Sequence, residues 1–506
     1  MGDVAVFHSE ATGLSNTDDR VSWSELGGLG AILTIAAGFY IAFWLWTDWT
    51  IEDAMIVGRI ARQFARHHIL SFNTDQLVSS ATSPPFALMV GLLSLLGAAP
   101  LVASKTLGVI GTLTVGVYIY GAARPLVRPR GAITAVAVYL LLPNVVAYTV
   151  GGMETPVYTA SCAIALFGCL QGKGARALGG AAAAAVLRPD GAMVLAVVTA
   201  SLWFQTRQIR KLAKWLLPAL TVVVTCYTAH WMVYGSPLPQ SMLAKWDGYR
   251  VDPLMNAGHY LSQLYLAQPV ALLLTLLALV GIVPAVRRQP ACIWLLVWYV
   301  LYYMAFVLRA PLFAWYLQPP MFVLAFFAGL TVAIILERAT LAVLDVAPRR
   351  QMAAINWLPL ALVVLLAAGG NAFYARGRQT MATYERTVRA AAGQWIGQHA
   401  APGEVVFTES LGYIGYYNDQ PFIDWPGLVT PDAPSRIRGV GRQAGFARII
   451  AAKQPTWLAI RDCEWRDLEP SVKRDYTLVT EFPPPRPVEV KYVIARRTPT
   501  PATSTR

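Results

Sequence analysis

The chain has 506 residues, 56% of them hydrophobic and only 14% charged, with a formal net charge of +13 at pH 7. Soluble domains carry about 25% charged residues, so this balance excludes an ordinary soluble enzyme and indicates a polytopic membrane protein. The Lys and Arg excess collects in short loops between apolar runs, which leaves too little basic surface for a nucleic-acid partner.

A polar stretch with Asp18, Asp19, Arg20 and Glu25 precedes the first apolar run, Leu26–Trp46. No small-residue cleavage site follows it, so the run reads as an anchor, with residues 1–25 as a cytoplasmic segment. Glu52 and Asp53 come next, ahead of Arg59, Arg62, Arg66, His67 and His68. Adjacent carboxylates at a membrane exit are costly unless they work. Capping of the amphipathic stretch Ala54–His67 is one explanation. General-base chemistry on a substrate hydroxyl is another, and a divalent cation held by oxygen ligands is a third. Met55, Ile56, Ile60 and Phe64 make one face of that stretch apolar and the other face is cationic, the pattern of a helix lying in the membrane interface.

Ten further spans of about the required length are expected: Thr106–Gly121, Gly131–Thr149, Pro156–Leu170, Ala177–Leu187, Gly191–Phe204, Trp215–Tyr234, Val270–Val286, Ala291–Leu308, Pro320–Leu336 and Ile355–Phe373. Pro85–Gly97 is apolar but short, and reads as re-entrant or interfacial. Every second loop is basic: Arg124, Arg128 and Arg130; Lys173 and Arg176; Arg207 to Lys214; Arg287 and Arg288; Arg338, Arg349 and Arg350. These loops are expected on the cytoplasmic side.

Parity then places the remaining loops outside. They carry Glu52-Asp53, Gly151-Gly152-Met153-Glu154-Thr155-Pro156, Arg188-Pro189-Asp190-Gly191, Gly235 to Gln240 with Lys245, and Arg309 with Trp315-Tyr316. Glu154 caps a helix or contacts substrate. Arg188 and Asp190 pair with each other or with substrate. Trp315 and Tyr316 anchor at the interface or stack on a sugar.

Residues 374–497 change character. Tyr384–Gln398 reads as an amphipathic helix, Glu404–Thr408 and Thr456–Arg461 as buried strands, and Gly441–Lys453 as a helix between them. Tyr476–Phe482 and Val488–Arg496 close the unit as strands. Residues 498–506 read as a polar disordered tail. The expected organisation is mainly α: a helix bundle of about eleven spans plus interfacial helices over 26–373, then an extracytoplasmic α/β domain. Cys162, Cys169, Cys226 and Cys292 lie in apolar runs and Cys463 stands alone, so neither a disulfide framework nor a zinc site is indicated. No Walker, HExxH or GxSxG motif occurs, so ATP-driven transport and zinc or serine hydrolysis lack support.

The order of short motifs resembles the GT-C superfamily of integral-membrane glycosyltransferases. These motifs are the acidic pair followed by Ala54, Arg59-Ile60-Ala61-Arg62, Thr82-Ser83-Pro84, Met153-Glu154-Thr155-Pro156, Arg188-Pro189-Asp190-Gly191 and Gly235-Ser236-Pro237-Leu238-Pro239. The branch it is most similar to includes the mycobacterial terminal arabinofuranosyltransferase. Glu409–Gly412, Gly415-Tyr416-Tyr417 and Asp424 with Gly427-Leu428 resemble that branch's soluble tail. The pair reads Glu-Asp where relatives have Asp-Asp, and Ser80-Ala81 stands where relatives often have Gly-Tyr. The resemblance implies an inverting transferase that moves a sugar, such as arabinofuranose, from a polyprenyl-phosphate donor. The acceptor would be a cell-envelope glycan, lipid or protein, on the outer face of a bacterial plasma membrane. It makes Asp53, or Glu52, the base. Arg59, Arg188, Lys245 and Arg309 are then candidates for the donor phosphate, and Glu154, Asp190, Gln240, Trp315 and Tyr316 for substrate contact. The resemblance fixes no cofactor and leaves the divalent-cation alternative for the acidic pair open. The rival is a non-catalytic transporter of lipid-linked glycans, which should show inverted repeats; only one broken helix pair is visible.

Overall fold

A computed structural model describes residues 22–249, 252–266, 268–310, 313–344, 357–486 and 489–498. Most of the expected cytoplasmic segment 1–25 and of the expected tail 498–506 lies outside these residues. The chain starts with α1 (Trp23–Thr47), whose N-terminus is capped by the Ser22 hydroxyl accepting from Glu25 N. Then come α2 (Glu52–His67), α3 (Pro84–Leu95), α4 (Pro100–Ala123), α5 (Pro129–Leu140) and α6 (Pro143–Thr149). They are followed by α7 (Thr155–Leu170), α8 (Gly174–Leu187), α9 (Gly191–Thr206), α10 (Ile209–Tyr234), α11 (Gln240–Gly248) and α12 (Pro253–Leu261). The membrane part ends with α13 (Pro269–Arg288), α14 (Ile293–Arg309), α15 (Met321–Leu344) and α16 (Leu358–Tyr384).

Among the described residues seven helices are long and apolar enough to cross a membrane, or eight if the pair α5 and α6, bent by 64°, forms one span. The helices α7, α8 and α9 are shorter. Each of the eleven expected spans overlaps one of these helices or the bent pair, but those on α7, α8 and α9 lie on helices below spanning length, and residues 355–356 of the last one are outside the described residues. The short piece expected at Pro85–Gly97 is α3, started by Ser83 as cap and Pro84 and Pro85 in its first turn. Leu217, Val224, Trp231 and Met232 of α10 face outward, as a lipid-facing helix requires, while the bundle interior is closed around Phe167, Phe322 and Trp298.

The last spanning helix does not stop where the apolar run does. It continues through a π-helical turn, Glu385–Ala390, into α17 (Ala391–His399). The expected boundary at 373/374 therefore falls inside one helix, and the tail is joined to the bundle by continuous helix. Beyond it lie β1 (Val406–Thr408), α18 (Leu411–Tyr416), β2 (Phe422–Asp424), α19 (Ala433–Ile437), α20 (Arg442–Lys453), β3 (Trp457–Arg461), β4 (Tyr476–Phe482) and β5 (Tyr492–Arg497). The sheet order is β2-β1-β3-β5-β4. Strand β1 runs parallel to β2 and β3, and β5 is antiparallel to β3 and β4. Phe407, Leu458, Ile460 and Val493 pack it against Phe446 and Ile450 of α20.

Candidate active site

The link from α1 to α2 is pinned at successive residues. Thr47 Oγ1 accepts from Trp49 N at 3.1 Å, and the Trp49 carbonyl accepts from the buried Lys105 Nζ at 2.8 Å. The Thr50 carbonyl accepts from Tyr413 OH at 3.0 Å, and Ile51 N donates to the Gly151 carbonyl at 2.9 Å. With these groups satisfied, the start of α2 has one orientation, and it carries Glu52 and Asp53.

The two carboxylates then diverge, because neighbours on a helix point about 100° apart. Glu52 Oε1 accepts from Gly412 N, in α18 of the tail domain, at 2.6 Å. A side chain at Gly412 would collide with the Glu52 carbonyl, so the contact needs glycine. Burial pushes the Glu52 carboxyl up to about 8, with Asp53 adding and Arg389 and the Gly412 amide opposing. Asp53 Oδ2 instead meets Lys245 Nζ of α11 at 3.2 Å. Burial acts against the Lys245 charge, but Asp53 and Tyr316 outweigh it and hold its pKa above the ordinary lysine value. The ammonium also lies 4.9 Å from the Phe313 ring centre and 5.8 Å from that of Trp315.

Arg188 sits in extended backbone between α8 and α9 and is fully buried. Its fork binds Asp190 twice, at 3.0 and 3.2 Å, and its Nη1 lies 3.9 Å from Glu154 Oε1. The guanidinium is flanked by the rings of Tyr158 at 4.6 Å and Tyr316 at 5.4 Å. Gly191 lets α9 start directly against the backbone of Ala184. Asp53, Glu154, Arg188, Asp190, Lys245 and Tyr316, drawn from five separate stretches of sequence, thus form one electrostatically connected group. The three proline motifs converge beside it: Thr82, Pro84, Pro85, Pro189, Pro237 and Pro239 line a common small cavity.

Other expectations fare differently. Arg59 does not face a ligand. Its guanidinium donates to the carbonyls of Phe72, Gly415, Asn418 and Gln420 at 2.7–3.0 Å, which spends its donors on holding the tail domain. Arg62 and Arg66, from the face expected to meet lipid, reach Asp419 of the same domain at 3.0 and 3.5 Å. Gln240 Nε2 donates to the Gly427 carbonyl at 3.0 Å, so it ties α11 to the tail domain. Trp315 stacks on Phe313 at 4.8 Å. Arg309 ends α14, and its side chain lies outside the described ones. Among the described residues no group of three or more His, Cys, Asp or Glu could hold a metal ion, and the acidic pair turns to two different partners. Sequence reasoning missed Lys105, although a lysine inside an apolar span is a visible signal. It also missed Tyr158, Tyr249 and Tyr260, which carry none.

A family model described as a domain of unknown function (DUF8728) matches residues 371–501. No curated protein matches the chain. The crystal structure of ArnT from Cupriavidus metallidurans in the apo state superposes with a TM-score of 0.64 at 14% identity, covering 93% of this chain and 98% of that one. The crystal structure of ArnT from the same organism bound to undecaprenyl phosphate gives 0.57 at the same identity and coverage. The two proteins share a fold. The likeness spans both the helix bundle and most of the tail, so the divided architecture belongs to that fold.

Proposed function

We propose that this chain is an inverting membrane glycosyltransferase of GT-C type, which moves a sugar from a polyprenyl-phosphate donor to a cell-envelope acceptor on the extracytoplasmic face. The observation that carries the reading is the pair of partly exposed Asp53 and buried Lys245, 3.2 Å apart, next to the buried Arg188 cluster. A carboxylate and a matched cation side by side suit a base and a phosphate clamp. The fold shared with ArnT, which has been crystallised with undecaprenyl phosphate, supports a lipid-phosphate ligand.

In this scheme Asp53 takes the proton of the acceptor hydroxyl as its oxygen attacks the anomeric carbon. The bond from that carbon to the phosphate oxygen breaks, and polyprenyl phosphate leaves with one more negative charge. Lys245 turns from Asp53 to that charge, which frees the base. Arg188 supports it from behind, with Arg309 in the set on sequence grounds. Glu154, Asp190, Tyr316 and Trp315 contact substrate, and Gln240 holds α11 in place. Glu52 docks the tail domain, and Arg59 leaves the phosphate set. Arabinofuranose as the sugar follows from the branch resemblance alone.

The test is transfer from a panel of labelled polyprenyl-phosphate sugars by the full-length protein in nanodiscs, with membrane glycan extracts as acceptors. Turnover with wild type, and about 10²- to 10⁴-fold less with Asp53→Asn, is expected. Equal lipid-linked glycan flux in both, without any glycosidic product, would instead favour the transporter.

A further inference from the structure

Between the starts of α1, α5 and α16 and the second half of α15 lies a cleft of about 360 Å³, a volume within the range of ligand sites. It lies far from Asp53. Helix α1 begins at the cleft and ends at the loop that carries the acidic pair, and its 25 residues rise about 37 Å. The hydrocarbon core of a bilayer is about 30 Å thick, so the cleft and Asp53 stand at opposite membrane surfaces. Helix α16 likewise begins at the cleft and ends at the tail domain.

The charges of the cleft are uneven. Glu25 accepts from Arg124 at 2.9 and 3.5 Å, and Glu337 pairs with Arg128 at 2.6 Å. Arg130 also lines the cleft, and among the described residues it meets no carboxylate; its guanidinium lies 5.5 Å from the centre of the Trp357 ring. Three guanidinium groups thus stand against two carboxylates. The start of α5 adds to the positive side. Pro129, Arg130 and Gly131 line the cleft, Arg128 gives the 12-residue helix no side-chain cap, and its first amides are left for an outside acceptor. One oxyanion therefore has a guanidinium and a helix N-terminus to meet. An ammonium carried beside that anion would have to displace Arg124 or Arg128 from its acid.

The same cleft has apolar walls, from Ile133, Ala333 and Leu360. Trp357 and Leu358, at the start of α16, are exposed, and a tryptophan at that depth marks the headgroup level. Basic pockets between spanning helices suit anionic headgroups. A free phosphate would use the arginine and leave the apolar walls wet.

We infer that this cleft seats the phosphodiester of an anionic phospholipid, one whose head carries no ammonium, in the leaflet opposite Asp53. Arg130 and the first turn of α5 hold the phosphate, while Ile133, Ala333 and Leu360 meet the glycerol and the start of the acyl chains. The site stands whether or not the chain is a transferase.

The experiment titrates delipidated full-length protein in a neutral detergent with phosphatidylglycerol, phosphatidylethanolamine and phosphatidylcholine of matched acyl chains, and with glycerophosphoglycerol, the same head without chains. Phosphatidylglycerol should bind about fivefold or more tighter than either zwitterionic lipid, the worth of one arginine near a membrane surface, and the chainless head should not bind measurably. Arg130→Gln should remove that preference, and Arg130→Lys should keep most of it. Arg210→Gln, at the exposed start of α10 and away from the cleft, should leave it intact. Lipid-free Arg130→Gln should unfold close to wild type, since the contact it loses to Trp357 is an exposed one. Equal affinity for all three lipids, a preference that survives Arg130→Gln, or one that Arg210→Gln also abolishes would overturn the inference. Tight binding of glycerophosphoglycerol would overturn it in favour of a soluble phosphate. No binding of phosphatidylglycerol at all would overturn it too, as expected if another part of the chain fills the cleft.

Discussion

Replacing the two adjacent acids one at a time separates docking from chemistry. Glu52→Gln keeps an oxygen for Gly412 N, now 2.6 Å from Glu52 Oε1, and removes only the titration. Its transfer rate should stay within about threefold of wild type, less than the value of one neutral hydrogen bond. Asp53→Asn keeps the volume and loses the base, so transfer should fall about 10²- to 10⁴-fold. The pH behaviour gives an independent readout. Glu52 is held at about 8 against an ordinary 4.5, with burial the largest cause. Across that window the folded protein keeps a proton that the unfolded chain releases. The stability tied to that proton is complete below the unfolded value and is lost as pH rises toward 8. At 1.36 kcal/mol per unit, moving from pH 5.5 to 7.5 costs at most about 2.7 kcal/mol, and the side chain's partial exposure brings this to about 2 kcal/mol. Thermal unfolding in nanodiscs should therefore show wild type losing several degrees over that interval relative to Glu52→Gln. Parallel pH curves, or a Glu52→Gln protein as inactive as Asp53→Asn, would refute the division of roles.

Arg59→Lys should cost about 3 kcal/mol or more, because lysine can replace at most part of four charged hydrogen bonds to carbonyls. Limited proteolysis should then cut the tail domain sooner while donor affinity holds; lost affinity with normal stability would restore Arg59 to the phosphate site. Lys105→Met strands the buried Trp49 carbonyl, a penalty of about 1–3 kcal/mol. It should lower kcat roughly tenfold with donor affinity unchanged, since the loop it pins places Asp53; a change confined to affinity would contradict that. Cys463 is exposed in the tail domain, whereas Cys226 is exposed on the lipid-facing α10. A membrane-impermeant maleimide should label Cys463 on intact cells whose outer barrier has been opened, and leave Cys226 unmodified. Labelling of Cys463 only after the plasma membrane is broken would reverse the proposed sidedness.

The bundle was legible because apolar run length is a direct physical constraint on a spanning helix: α7, α9 and α13 follow their runs within two residues, whereas α4, α10 and α15 each run six to eight residues further at one end. The tail's alternating and helical patterns placed β3, β4 and α20 nearly to the residue. The continuity of α16 with α17 was not legible, since polarity changes at the membrane surface while helix propensity does not. Strand β2, three residues long, is set by pairing with β1 rather than by its own pattern. At the site, Arg188 with Asp190 and Asp53 with Lys245 could be nominated because ionisable residues near apolar spans are rare. Arg59 was misassigned for the same reason. A cation near a membrane looks alike in sequence whether it meets a phosphate or a set of carbonyl dipoles.

What sequence could not separate is the pair Glu52 and Asp53, and the reason shows how this fold works. Their partners lie 360 and 192 residues away, in the tail domain and on α11. The tail domain also grips α11, through Gln240 to Gly427, Asp247 to Arg438 at 2.9 Å and Tyr249 to Glu409 at 3.4 Å. One acid therefore fixes the domain that positions the lysine facing the other acid. The site is closed by a loop of contacts running from α2 through the tail to α11 and back to α2. The proposed transfer, which needs base and phosphate clamp in register within fractions of an ångström, would gain from that closure. It explains why a membrane bundle that already contains Asp53, Glu154 and Arg188 still carries a folded domain on the end of its last helix.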